Sequence, residues 1–98
     1  MEEAREVYLS RCASCHGRTG AGDGKGAEGM TPAPRDYRDP AWHAATSDDE
    51  IDRVTVLGGV ARGKNKNMPA HPDLAQRPEL LRALTAVVRG FSRETPGP

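Results

Sequence analysis

The feature that most limits this chain is a short run, Cys12-Ala13-Ser14-Cys15-His16, which holds both of its cysteines. Two thiols and an imidazole this close together must be served by one or two turns of backbone. A disulfide between Cys12 and Cys15 would close too short a loop to stabilise a whole domain. A thioredoxin-like redox pair needs a βαβ pattern beside its C-x-x-C, and the sequence offers none. A zinc site could draw on Cys12, Cys15 and two of His16, His43 and His71. Against it, His43 and His71 lack the paired spacing of familiar closed sites.

The fourth reading is attachment of a c-type haem, for which C-x-x-C-H is the signature. The two thiols become thioethers to the haem vinyl groups, and the adjacent histidine becomes the proximal iron ligand. A shuffled chain of this composition shows the pattern roughly once in 1,600, so chance is a poor explanation. Composition points the same way. Of 98 residues only 36% are hydrophobic and 4% aromatic, while Gly and Pro number 11 and 8. A chain this short buries a small share of its surface, and ordering each backbone residue costs about 1–2 kcal/mol. A large apolar macrocycle completes a core that these side chains cannot fill.

Other classes drop out. Fourteen basic and fourteen acidic residues cancel, so the basic excess of a nucleic-acid binder is missing. No apolar run approaches the ~20 residues that span a bilayer. The charged start, Met1-Glu2-Glu3-Ala4-Arg5-Glu6, lacks the apolar stretch of a signal peptide.

Helical periodicity predicts a first helix over Glu2–Ala13 with Ala4, Val7, Tyr8 and Leu9 near one face. A loop from Gly17 to Met30 follows, carrying Gly17, Gly20, Gly22, Gly24, Gly26 and Gly29. It lacks the Lys-Ser/Thr ending and preceding strand of a phosphate loop, and reads as backbone passing close to the cofactor edge. Thr31-Pro32-Ala33-Pro34 is expected to be extended. Ser47 and Glu50 form a capping box for a second helix, with Ile51, Val54, Thr55 and Leu57 inward and Gly58-Gly59 ending it. A polar stretch, Ala61 to Pro72, precedes a third helix from Pro78 to about Gly90, with Leu80, Leu81, Leu84, Val87 and Val88 apolar. Thr95-Pro96-Gly97-Pro98 reads as a frayed tail or linker stump.

Tyr8-x-x-x-Cys12-Ala13-Ser14-Cys15-His16-Gly17, the Gly-rich loop and Met68-Pro69-Ala70 together resemble a class I monohaem c-type cytochrome, a small bacterial cytochrome c domain. The resemblance spans about Glu2 to Phe91. It implies an all-α fold, about three main helices and Gly/Pro-rich loops wrapped around one covalent haem c. It also implies His/Met ligation of the iron, by His16 and Met68. Met1 is a start residue, and Met30 lies too close to His16 in sequence to reach the opposite face easily. His71 and His43 stay as rivals for the sixth position. His71 is also a candidate pH modulator of the potential.

In the family a proline carbonyl anchors the proximal imidazole, which leaves Pro32 or Pro34, with Pro32 slightly favoured. Arg35, Tyr37 and Trp42 are candidate donors to the haem propionates, or the two aromatics pack over the haem edge. The family's first and last helices cross with a small residue facing an aromatic. Here Ala4 is the small residue, Val87 stands where the aromatic is expected, and Phe91 is its replacement one turn later.

The function expected is single-electron transfer between redox proteins, by a carrier rather than an enzyme. An open-site haem c domain for gas sensing or peroxidase-like chemistry is one alternative, and a zinc-binding or thiol-redox module another. Residues 1–98 are expected to form a single monohaem domain, core about 2–91, with 92–98 a tail. A monomer is expected, in the periplasm or another extracytoplasmic space, with a leader or anchor not contained in this chain. Lys25, Lys64 and Lys66 are either a docking ring for a redox donor and acceptor or simply solvated.

Overall fold

A computed structural model describes residues 2–29, 35–58 and 69–94. Five α-helices occur among them: α1 (Glu2–Val7), α2 (Ala13–His16), α3 (Pro40–Ala45), α4 (Asp48–Leu57) and α5 (Pro78–Glu94). The described residues contain no strand, so the fold is all-α as expected.

The first helix runs further than predicted and changes character on the way. Acidic Glu2 and Glu3 favour its start, where the helix dipole is positive. After Val7 it widens into a π-type turn over Tyr8–Cys12 before tightening again as α2. Such turns collect at functional positions, and this one leads into the first cysteine. Ala4 and Tyr8 are buried, whereas Leu9, expected on the same face, is 48% exposed. Tyr8 takes the inward place, and Leu9 beside it turns to solvent.

α1 packs across α5, and the aromatic at that crossing is Phe91. Its ring centroid lies 5.0 Å from that of Tyr8, at 52° between planes. Val87 stays in the core beside Leu80, Leu84 and Val88. α5 continues through Gly90 to Glu94, beyond its expected end. Phe91 needs that extra turn to reach Tyr8.

α4 follows its sequence closely. The Ser47 hydroxyl accepts the Glu50 N–H at 3.1 Å, which satisfies one orphan donor of the first turn. Gly58, at φ +83°, terminates it. Ile51 enters the core, but Leu57 at the end is 51% exposed and not part of an inward stripe. Buried Thr85 of α5 donates its hydroxyl to the Asp52 carboxylate, tying the two helices together.

Two elements were not foreseen. α3 has the Asp39 carboxylate accepting the Ala41 N–H at 2.9 Å and Pro40 at its first position. A 3₁₀ turn over Pro72–Gln76 buries Leu74 almost completely. Two forked ion pairs lash this turn to the first helix. Arg11 meets both Asp73 oxygens at 3.0 Å, and Arg77 meets those of Glu3 at 2.6 and 2.9 Å. Both pairs are solvated and contribute little, so Leu74 does most of the anchoring. Thr31–Pro34, the polar stretch up to Met68 and the tail Thr95–Pro98 lie outside the described residues.

Gly20 and Gly90 make opposite predictions. A Cβ on Gly20 would stand 2.7 Å from the Phe91 ring, on a backbone at φ +79°, while one on Gly90 meets nothing within 4 Å. Gly20→Ala therefore destabilises, and Gly90→Ala, inside α5, stabilises by about 0.5–1 kcal/mol. Phe91→Ala costs about 3–5 kcal/mol. Thermal unfolding of the three variants checks the order, and a Gly20→Ala protein as stable as the parent contradicts the packing described.

Candidate functional site

Cys12 closes the π-type turn, and Cys15 and His16 ride on α2 immediately after it. Both cysteines are free, half-buried thiols. Burial pushes the Cys12 thiol up to about 11, Arg11 opposing and Cys15 adding to the rise. No three His, Cys, Asp or Glu side chains gather as a metal-holding group among the described residues. In thioether formation each thiol would add its sulfur to one vinyl carbon and its proton to the other.

The glycine loop closes around this motif. α2 is short, and its carbonyls need partners beyond the helix. The Gly22 N–H bonds to the His16 carbonyl at 2.7 Å and the Gly24 N–H to that of Cys15 at 3.0 Å. Gly24 is a glycine by necessity, since a Cβ there would run into the Ser14 and Ala13 carbonyl oxygens. A Cβ on Gly26 would lie 3.1 Å from Cys15 Sγ. From the other side, the Tyr8 hydroxyl donates to the Gly17 carbonyl at 2.7 Å, in a buried setting.

His16 is the buried centre. Its Nδ1 lies 3.1 Å from the Arg35 carbonyl, and a carbonyl only accepts, so Nδ1 carries the proton. The lone pair is left on Nε2, which receives the Tyr37 hydroxyl at 3.2 Å. The two rings stack at 4.3 Å and 14°. Burial holds the imidazole below its usual range, with the Arg35 carbonyl opposing. A neutral ring with its lone pair on Nε2 is the form that a metal binds.

Among the described residues the carbonyl that meets the ring is Arg35's; Pro32 and Pro34, the carbonyls expected there, lie outside them. The reason is the next stretch of chain. The Tyr37 N–H bonds to the Gly20 carbonyl at 2.6 Å and pins residues 35–37 against the haem motif. Arg35 was expected to act through its side chain, and it meets His16 through its backbone. Trp42 packs at 5.2 Å from the Tyr37 ring. Met68, Met30, Lys64 and Lys66 lie outside the described residues, whereas Lys25 is exposed in a 3₁₀ turn over Lys25–Ala27.

His43 has both ring nitrogens engaged: Nε2–H donates to the Tyr37 carbonyl at 2.6 Å and Nδ1 receives Arg89 at 3.0 Å. Sequence reasoning missed this role, because nothing local to His43 announces Arg89, 46 residues away. His71 is half-buried, and its N–H reaches the Thr55 and Val56 carbonyls at the end of α4, each at 3.1 Å. Two thiols and a metal-ready Nε2 on adjacent turns, walled by Tyr8 and Tyr37, fit a covalent haem.

The Cytochrome c family model matches residues 1–86. Among solved structures, the chain is similar to the KustC0563 c-type cytochrome, at 30% identity and a TM-score of 0.65. That similarity covers 90% of this chain and 95% of the other. No curated protein matches the chain.

Two outcomes follow for the haem-loaded protein. Tyr8→Phe removes the stronger of two bonds to the Gly17 carbonyl, the Gly20 N–H remaining at 3.2 Å, and costs about 0.5–1.5 kcal/mol, read from denaturant unfolding. An unchanged midpoint contradicts the bond. Burial, and then Arg11, keep His71 below the usual imidazole range, with Asp73 opposing. Below about pH 6.5 the unfolded chain therefore binds the proton more readily, and stability is lost as pH falls. His71→Gln should flatten that loss, and identical slopes in parent and variant would refute it.

Proposed function

The chain belongs to the cytochrome c family, and on that premise we propose that it passes single electrons between redox proteins through one haem, ligated by His16 and Met68. The family binds haem c covalently through its cysteine pair, here Cys12 and Cys15. When bound, the haem supplies the one-electron iron couple.

The observation that carries the ligand assignment is the tautomer of His16. Its Nδ1–H is committed to the Arg35 carbonyl, which leaves Nε2 as the donor atom. Such a hydrogen bond fixes ring orientation and raises ligand basicity, which favours ferric iron and lowers the potential. The Met68 thioether, soft and neutral, favours ferrous iron and raises it. The two ligands thereby pull the potential in opposite directions. With Nε2 given to iron, the Tyr37 hydroxyl would need another acceptor. We assign that place to a haem propionate, to which Arg35 and Trp42 would be further donors. Tyr37, stacked on the His16 ring, keeps water from it, and the histidine is itself buried.

The thioether chemistry of the family supports a periplasmic or other extracytoplasmic location. No helix among the described residues is long and apolar enough to cross a membrane. The donor and acceptor are redox proteins, and Lys25, Lys64 and Lys66 are the cations we assign to meeting them.

An optical spectrum of protein matured with haem tests the reading. A low-spin form with the weak sulfur-to-iron band, indifferent to carbon monoxide, is expected. Met68→Ala should lose that band, bind carbon monoxide and fall in potential. If the parent binds carbon monoxide rapidly, the sixth position is open and the carrier reading gives way to sensing or catalysis.

A further inference from the structure

The turn that carries the Arg35 carbonyl is itself held between two histidines. On one side His16 Nδ1–H donates to the carbonyl of Arg35 at 3.1 Å. On the other, two residues along, His43 Nε2 lies 2.6 Å from the carbonyl of Tyr37. The two rings must be opposite tautomers, because each faces a group that only accepts. What settles His43 is Arg89. A guanidinium only donates, so Arg89 Nη1, at 3.0 Å, requires the lone pair on Nδ1 and the proton on Nε2.

Arg89 is fixed in turn from three sides. The same Nη1 donates to the His43 carbonyl at 2.9 Å, Nη2 to the Thr46 carbonyl at 2.6 Å, and Nε to Asp48 Oδ1 at 2.9 Å. These acceptors are the C-terminal end of α3 and the first residue of α4. One side chain of α5 thus closes α3, anchors α4 and selects the tautomer of His43. Its guanidinium is mostly buried, at 20% exposed, whereas Asp48 is 58% exposed. The ion pair with Asp48 is therefore the weakest part of the arrangement, and the bonds to His43 and the carbonyls are its substance. A structural clamp on α3 needs only the two carbonyl contacts. The contact with Nδ1 is surplus to that purpose, and it points through the imidazole at the Tyr37 carbonyl.

We propose that His43 and Arg89 are positioning residues for the proximal ligand: Arg89 locks His43 as a donor, His43 holds the Tyr37 carbonyl, and the Arg35 carbonyl is thereby kept on His16 Nδ1. This rests on the proposed ligation of iron by His16. The consequence is electronic as well as structural. Losing the strut slackens the bond to Nδ1–H, makes the imidazole a poorer donor and moves the potential upward.

The test uses the haem-loaded full chain and two readouts besides electron transfer, the midpoint potential and solvent exchange of the His16 Nδ1–H proton followed by NMR. His43→Phe keeps an aromatic ring without a donor. It should raise the potential and speed exchange by about fivefold, the equivalent of one ordinary hydrogen bond. His43→Gln, which keeps a donor at the Nε2 position and an acceptor for Arg89, should return both towards the parent. Arg89→Gln leaves His43 in place and should shift both readouts in the same sense as His43→Phe. It also carries the test if His43→Phe fails to accumulate with haem. Unchanged potential and exchange in the variants overturn the proposal, as does His43→Gln behaving like His43→Phe. If the parent shows no iron-shifted His16 ring protons, the ligation reading falls first and takes the strut with it.

Discussion

The bond from His16 Nδ1–H to the Arg35 carbonyl joins parts of the chain 19 residues apart and sets the terms for everything around it. It chooses the tautomer, and so decides which nitrogen offers a lone pair. Holding the acceptor in place requires the Tyr37 N–H on the Gly20 carbonyl, and that requires the glycine loop to fold back along α2. Gly20 in turn lies against Phe91, whose ring meets Tyr8, and Tyr8 reaches back to Gly17 beside the histidine. The contacts form a closed circuit. A polar requirement at one atom and an aromatic crossing between the first and last helices are satisfied by the same few residues.

This economy suits a chain with little apolar material. The buried side chains cluster where α1 and α5 cross and where Leu74 is tucked beneath them. The haem motif is not attached to a finished core. Cys12 and Ala13 are themselves packed against it, so the family's covalent cofactor would be tethered at the edge of that core.

Legibility in the sequence tracked how local each cause was. Ser47, Glu50 and Gly58 announce α4 within a few residues of themselves, and Pro78 announces α5. The haem motif is equally self-contained, so the cofactor and its tether were readable. Leu9 and Leu57 were misplaced because periodicity gives a face, whereas burial depends on what arrives to cover it. α3 has a local signal in Asp39-Pro40, an N-cap followed by proline at the first helical position. The Arg35 carbonyl could not be read at all. Every residue carries the same carbonyl, so a backbone acceptor is chosen by where the chain passes, and the sequence names only side chains. The same holds for Arg89, whose partners lie two helices away.

The ion pairs among the described residues share one chemical habit, in that each uses a guanidinium: Arg11 with Asp73, Arg38 with Asp36, Arg77 with Glu3, Arg89 with Asp48. Eleven of the fourteen basic residues are arginine. Guanidinium keeps its charge through alkaline solution. Glu3 and Asp36 are both held below the carboxylate range, chiefly by their hydrogen bonds from Arg77 and Arg38. Those two pairs are consequently kept in base and lost in acid, and because they are solvated the loss changes stability only slightly. Side-chain amines are confined to Lys25, Lys64 and Lys66. Reagents that acylate amines would therefore rewrite the charges assigned to partners while sparing the cations that hold the helices together.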